Sequence, residues 1–231
     1  MLSRVVAICI LGLIASCGHF YLLKSSYPFV VASPEARASI EVTEAQHTEL
    51  KSAQLQSEAI AFGVFGVLLC VAVALVGLPP NNAATWLITL LAAGLLGALA
   101  GGAMSFLGHL FHDSFAASIA DPLVHTVLRL TVMLLPVAIA AGIVAALARR
   151  SKQVASDAIV GALLGALLTA VAYGVLAGSV TSLENIGSVL PADNQNRFLL
   201  FSLAMVCIGV ACVYQAFRRS KVNASAEVET V

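Results

Sequence analysis

Residues 84–107 read ATWLITLLAAGLLGALAGGAMSFL. The stretch carries no charged side chain and no proline. At a rise of ~1.5 Å per residue it makes a helix long enough to cross a hydrocarbon layer ~30 Å thick. Moving outward from it, comparable apolar runs lie at about 5–23, 59–78, 123–147, 158–178 and 198–217. In lipid every backbone amide and carbonyl must be satisfied internally, so such runs are helices. The chain therefore reads as all-α: a polytopic transmembrane helical bundle of about six spans over residues 1–221. An extracytoplasmic polar loop occupies 24–58, and a disordered cytoplasmic tail 222–231.

Composition agrees. Hydrophobic residues make up 60% of the 231 and charged residues only 10%, against about 25% in a soluble domain. A net charge of zero gives no bulk electrostatic case for nucleic acid. The partners expected are the lipid bilayer and either a second copy of the chain or a membrane partner subunit. All five cysteines (Cys9, Cys17, Cys70, Cys207 and Cys212) fall inside apolar runs with no CxxC spacing, so they read as small apolar filler.

Local chemistry marks the span ends. Pro79-Pro80-Asn81-Asn82 stops the second span. Asp121-Pro122 opens the fourth, with Asp as N-cap and Pro at the first helical position. Pro191-Ala192-Asp193 opens the sixth in a similar way, and Ser33-Pro34-Glu35 starts a helix in the polar loop that runs toward the second span. The first segment has more than one reading. Met1-Leu2-Ser3-Arg4 before an apolar run has the form of a secretory signal, and Ile14-Ala15-Ser16-Cys17 that of a lipoprotein cleavage site. Because apolar sequence continues through Phe20-Tyr21-Leu22-Leu23, the segment is read as a retained span, with a cleaved signal or a lipidated Cys17 as alternatives.

Basic residues set the expected orientation. Arg4, Arg149, Arg150, Lys152, Arg218, Arg219 and Lys221 fall on one side, and Lys24, Arg37, Lys51 and Arg197 on the other. Both termini are then cytoplasmic. The acidic residues Glu35, Glu41, Glu44, Glu49, Glu58, Asp113, Asp121, Glu184 and Asp193 lie outside, where they favour cations.

Two short repeats stand out: Arg-Arg-Ser-Lys at 149–152 and 218–221, and Leu-Leu-Gly-Ala-Leu at 95–99 and 163–167. Their near-equal spacing would arrange the spans as three parallel helical hairpins. Gly97-x3-Gly101, Gly161-x3-Gly165 and Gly174-x3-Gly178 mark faces where backbones approach closely, because lipid tails give helices no hydrophobic reason to associate. Pro136 interrupts the fourth span as a kink or a hinge.

The candidate chemistry gathers near the outer boundary. Ser105, His109 and Asp113 recur at intervals of four, with His112 three residues after His109. Asp121, His125 and Arg129 recur at intervals of four on the next span, and such spacings share a helical face. The two sets are expected to face each other. His109, His112 and His125 would then supply three ligands for a divalent metal such as zinc, with Asp113 and Asp121 orienting them. The same imidazoles suit proton relay, and interfacial hydrogen bonding to headgroups is the plain alternative. Arg129, two turns inside a span, is expected to be a buried charge paired with Asp113, Asp121 or a hydroxyl such as Tyr173 or Thr169.

No G-x-S-x-G, Walker-type loop, H-E-x-x-H or dinucleotide fingerprint is present, and no catalytic residue is assigned. The leading reading is a transport or permeation component handling a cation, metal or proton through the outer His/Asp cluster. A non-catalytic membrane scaffold or partner-binding protein comes second, and an intramembrane metal-dependent hydrolase third. The inner halves of the spans are almost wholly apolar, which argues against a complete pathway through a single chain.

Overall fold

The computed structural model describes residues 1–38, 43–77, 83–115, 118–180, 189–191 and 193–228, with side chains left out at 38, 152–153, 178–180 and 219–228. Its elements are α1 (Leu2–Ser26), α2 (Pro34–Ala38), α3 (Glu44–Gly77), α4 (Ala83–Phe115), α5 (Pro122–Arg149), α6 (Lys152–Val180) and α7 (Asn194–Val228). No strand occurs among the described residues. Six of these helices, all but the short α2, are long and apolar enough to cross a membrane. The chain is a multi-pass membrane bundle.

The expected punctuation is in place. Asp121 Oδ1 accepts hydrogen bonds from the amides of Leu123 (2.8 Å) and Val124 (3.1 Å). Asp193 Oδ2 does the same for Gln195 and Asn196 at the start of α7. Ser33 caps α2 through the Ala36 amide. Thr43 and Gln46 form a reciprocal capping box at the start of α3. Pro79-Pro80-Asn81-Asn82 lies outside the described residues. Two boundaries differ from the sequence expectation. α3 starts at Glu44, so most of the second half of the polar loop is helix continuous with the span. α7 runs on to Val228, through most of the segment expected to be a disordered tail. An existing helix propagates easily through Arg, Lys, Ala and Glu, which are good helix formers.

The six long helices pack as a closed ring in the order α1, α3, α4, α5, α6, α7 and back to α1, with α3, α5 and α7 also touching across the middle. α3 and α5 are the most buried, and α1 and α4 the least. Leu87, Leu91, Leu95, Leu99 and Phe106 line an exposed face of α4. That face points away from the ring, as a lipid-facing surface should.

Glycine sets the closest approaches. A Cβ on Gly97 would collide with the Gly66 carbonyl, and one on Gly101 with the Phe62 carbonyl, so α4 lies backbone to backbone on α3. A Cβ on Gly165 would meet the Cys207 carbonyl at 2.5 Å and Ile208 Cα at 2.7 Å, so α6 lies in the same manner on α7. Gly97 and Gly165 are equivalent in the Leu-Leu-Gly-Ala-Leu repeat. One faces the preceding span and the other the following span, so the packing does not reproduce the three-hairpin repeat. Leu, Ala and Gly recur in both helices for the same reason, close packing under lipid, and against different neighbours.

The chain direction brings two distinct ends together. The end of α1 and the start of α3 meet the end of α4 and the starts of α5 and α7 at a histidine end. The start of α1 and the ends of α3, α5 and α7 meet at an arginine end.

Candidate functional site

At the histidine end, α4 forms a ladder of polar contacts to α3. Asp113 Oδ2 accepts from Lys51 Nζ at 3.0 Å. One turn deeper, His109 Nε2 lies 2.8 Å from Glu58 Oε2. One turn deeper again, Ser105 Oγ donates to the Leu55 carbonyl at 3.4 Å. The spacing by four that singled out Ser105, His109 and Asp113 is thus a single face, as expected. It faces α3, and not the start of α5. His112, three residues on, is offset around α4 toward α5 and meets His125 there, edge to face, with ring centroids 5.7 Å apart.

The five proposed metal ligands are therefore shared among separate tasks. His109 pairs with Glu58, His112 stacks with His125, Asp113 bonds to Lys51, and Asp121 is occupied by the first amides of α5. Among the described residues no group of three His, Cys, Asp or Glu side chains gathers in a way that could hold a metal ion. The physical reason is that α4 packs on both α3 and α5, so His109 and His112, about 60° apart around the helix at ~3.6 residues per turn, meet different neighbours.

Glu58 is the residue that the sequence reading misplaced. It was counted among the acidic groups of the outer surface, yet it is 1% exposed. Besides His109 it accepts from Gln54 Nε2 at 2.9 Å. A carboxyl this deep is costly unless paired and hydrogen-bonded, and here both oxygens are used. The signal was present in the sequence. Glu58, Phe62, Phe65 and Leu69 recur at helical spacing, and all four are buried. Extending the second apolar run backward by one residue places Glu58 on that inward stripe.

Arg129 is buried between helices, as expected, at 3% exposed. Asp113 and Asp121 are engaged elsewhere, and the groups that act electrostatically on Arg129 are Tyr173 of α6 and Glu58 of α3. Glu58 is thus bonded to an imidazole and acts electrostatically on a guanidinium. Tyr27, just past the end of α1, feels the same carboxyl. Its phenol is pushed above the usual 10.0, by burial first and the Glu58 charge second, and Arg197 pulls it back. The Arg197 guanidinium stacks over the Tyr27 ring at 4.4 Å, and its Nε donates to the Pro191 carbonyl at 2.6 Å. One turn below Glu58, His19 Nε2 bonds to the Ala61 carbonyl at 2.9 Å, and its ring packs edge-on against Phe201.

Above this buried layer a cavity of about 430 Å³ opens at the histidine end. His47, Leu50, Lys51 and Gln54 of α3 line it, with His109, His112 and Asp113 of α4 and Val189. His109 thus touches both the open cavity and the buried Glu58. Toward the arginine end the interior closes over Leu69, Cys70, Val73, Val137, Ala141, Ile208 and Cys212, all buried and apolar. An open polar cavity lined by His109, which is itself bonded to the buried Glu58, can bind a cation or exchange a proton on one side of the bundle. Compared with protein-family models, with curated proteins and with solved structures, the chain matches none of them.

Proposed function

We propose that this chain is a transport or permeation component of a membrane system, and that it loads a proton at Glu58–His109 from the cavity at the histidine end. The observation that carries the reading is the Glu58 carboxyl, 1% exposed and 2.8 Å from an imidazole that lines an open polar cavity. Buried ionisable groups in a membrane bundle are costly and are typically found on ion or proton pathways. A His–carboxyl pair can pass a proton without moving its heavy atoms. A proton suits the site better than a metal because only one imidazole reaches Glu58. The charge of Arg129, which Glu58 influences electrostatically, opposes entry of a cation deeper into the bundle.

The apolar closure toward the arginine end makes the loading site one-sided. Onward transfer then requires a partner subunit, a second copy of this chain or a rearrangement at Pro136. The basic residues at the arginine end support an orientation with that end, and both termini, in the cytoplasm. The cavity then opens to the extracytoplasmic side.

The test is proton uptake by the purified chain in lipid nanodiscs after a step from mildly alkaline to acidic pH, read with a soluble pH dye. Wild type should take up more protons per chain than Glu58→Gln. Equal uptake by the two proteins removes the basis for the proposal.

A further inference from the structure

At the arginine end two positive charges share one ring. Arg4, in the first turn of α1, and Arg149, the last residue of α5, both hold their guanidiniums over Phe217 of α7, at 4.1 and 4.3 Å from the ring centroid. Those distances keep the two charges well within mutual repulsion at a Debye length of ~8–10 Å. Arg4 uses one donor, Nη1, on the Val76 carbonyl at 3.1 Å. Among the described residues neither guanidinium has a carboxylate within ion-pair distance. The ring attracts both cations without neutralising either.

The surroundings add positive potential. α1 has no side-chain cap and no acidic residue in its first turn, so the positive end of its dipole adds to the charge of Arg4. Arg150, the next residue, donates to the Thr85 hydroxyl at the same end, and Arg218 follows Phe217 on the exposed surface. Three chain segments far apart in sequence thus converge on a cationic spot with no carboxylate in ion-pair distance among the described residues. A guanidinium fork matches a phosphate in two-point fashion, and two forks over one ring can grip a phosphate from two sides. The spot lies at the start of one span and the ends of two others, which is the depth of lipid headgroups.

We propose that Arg4 and Arg149, held over Phe217, form a phosphate-binding site at the arginine end, and that its occupant is the phosphodiester of an anionic phospholipid. Clustered basic residues between spans at a membrane face are the usual setting for such recognition. Free inorganic phosphate offers the same oxygens and is the other source to be tested. The site is separate from Glu58–His109 and does not depend on the function proposed for it.

Native mass spectrometry of the detergent-solubilised chain tests this, with phosphatidylglycerol and phosphatidylcholine of matched acyl chains supplied in equal amounts. Wild type should retain phosphatidylglycerol preferentially. Arg149→Gln should lower that preference about fivefold, the effect expected of one interfacial charge, while Lys24→Gln, at the opposite end of α1, leaves it nearly unchanged. Among the described residues Arg149 has no carboxylate partner to lose, so this variant is expected to fold. Should it not, Arg149→Lys keeps the charge without the fork, and phosphatidylglycerol retention must still fall. Equal retention of the two lipids by wild type overturns the site, as does equal phosphatidylglycerol retention by wild type and the Arg149 variant. Displacement of the lipid by millimolar inorganic phosphate would overturn the lipid assignment, and persistence of the lipid supports it.

Discussion

Glu58 and His109 show how one contact decides what a residue is for. Read along the chain, Glu58 closes a polar loop; in the bundle it is a carboxyl held away from water, with one imidazole and one amide to satisfy it. Removing one member of a buried pair costs more than removing both, because the survivor stays desolvated and unpartnered. His109→Ala should therefore destabilise the chain in detergent by ~3–5 kcal/mol. Adding Glu58→Gln to it should recover part of the loss. A chemical or thermal unfolding series on the two single variants and the double variant checks this; strictly additive losses would mean that the contact is not a coupled pair. The buried state of Arg129 was legible in the sequence, since a charge two turns inside a span has few other options. Of the groups that act on it, Tyr173 was among those expected and Glu58 was not, because Asp113 and Asp121 were the carboxylates considered. Only the rotation of α4 shows that Lys51 and the first amides of α5 already occupy them.

At the level of the helices, span positions and caps could be read directly, because hydrophobic length and N-cap chemistry are local properties. Asp121 and Asp193 both cap the helices they were expected to open. Which helix meets which is not local. The glycine faces announced close packing without naming the partner, and the shared Leu-Leu-Gly-Ala-Leu suggested an equivalence that the contacts of Gly97 and Gly165 do not show. Position decides the cost of adding a methyl group here. Gly97→Ala would force a Cβ into the Gly66 carbonyl, a backbone atom that no rotamer change can move, whereas a Cβ on Gly94 meets nothing within 4 Å. Gly97→Ala should lower stability by at least ~1–3 kcal/mol, the usual cost of overpacking, and Gly94→Ala should be close to neutral. Thermal unfolding in detergent reads both, and equal midpoints would contradict the backbone-to-backbone packing of α3 and α4.

At the scale of the whole molecule the bundle is asymmetric along its axis. One end carries a polar cavity with a buried protonatable pair beneath it, the other a cluster of arginines, and the interior between them is apolar. The proposed orientation puts the arginines in the cytoplasm. In a cysteine-free background a membrane-impermeant thiol reagent applied to intact cells should then label Thr48→Cys and not Ser151→Cys; the reverse pattern would invert the topology. The asymmetry also limits what the chain does alone, since the described interior toward the arginine end closes over apolar residues such as Leu69, Val73 and Ala141. The central claim is that Glu58 exchanges a proton with the cavity through His109. The most direct measurement is an infrared difference spectrum of the purified chain between alkaline and acidic pH, in the carbonyl region of protonated carboxylic acids. The account predicts a band from a buried carboxyl that appears on acidification, shifts in deuterium oxide and is absent in Glu58→Gln. Identical difference spectra for wild type and Glu58→Gln would contradict it.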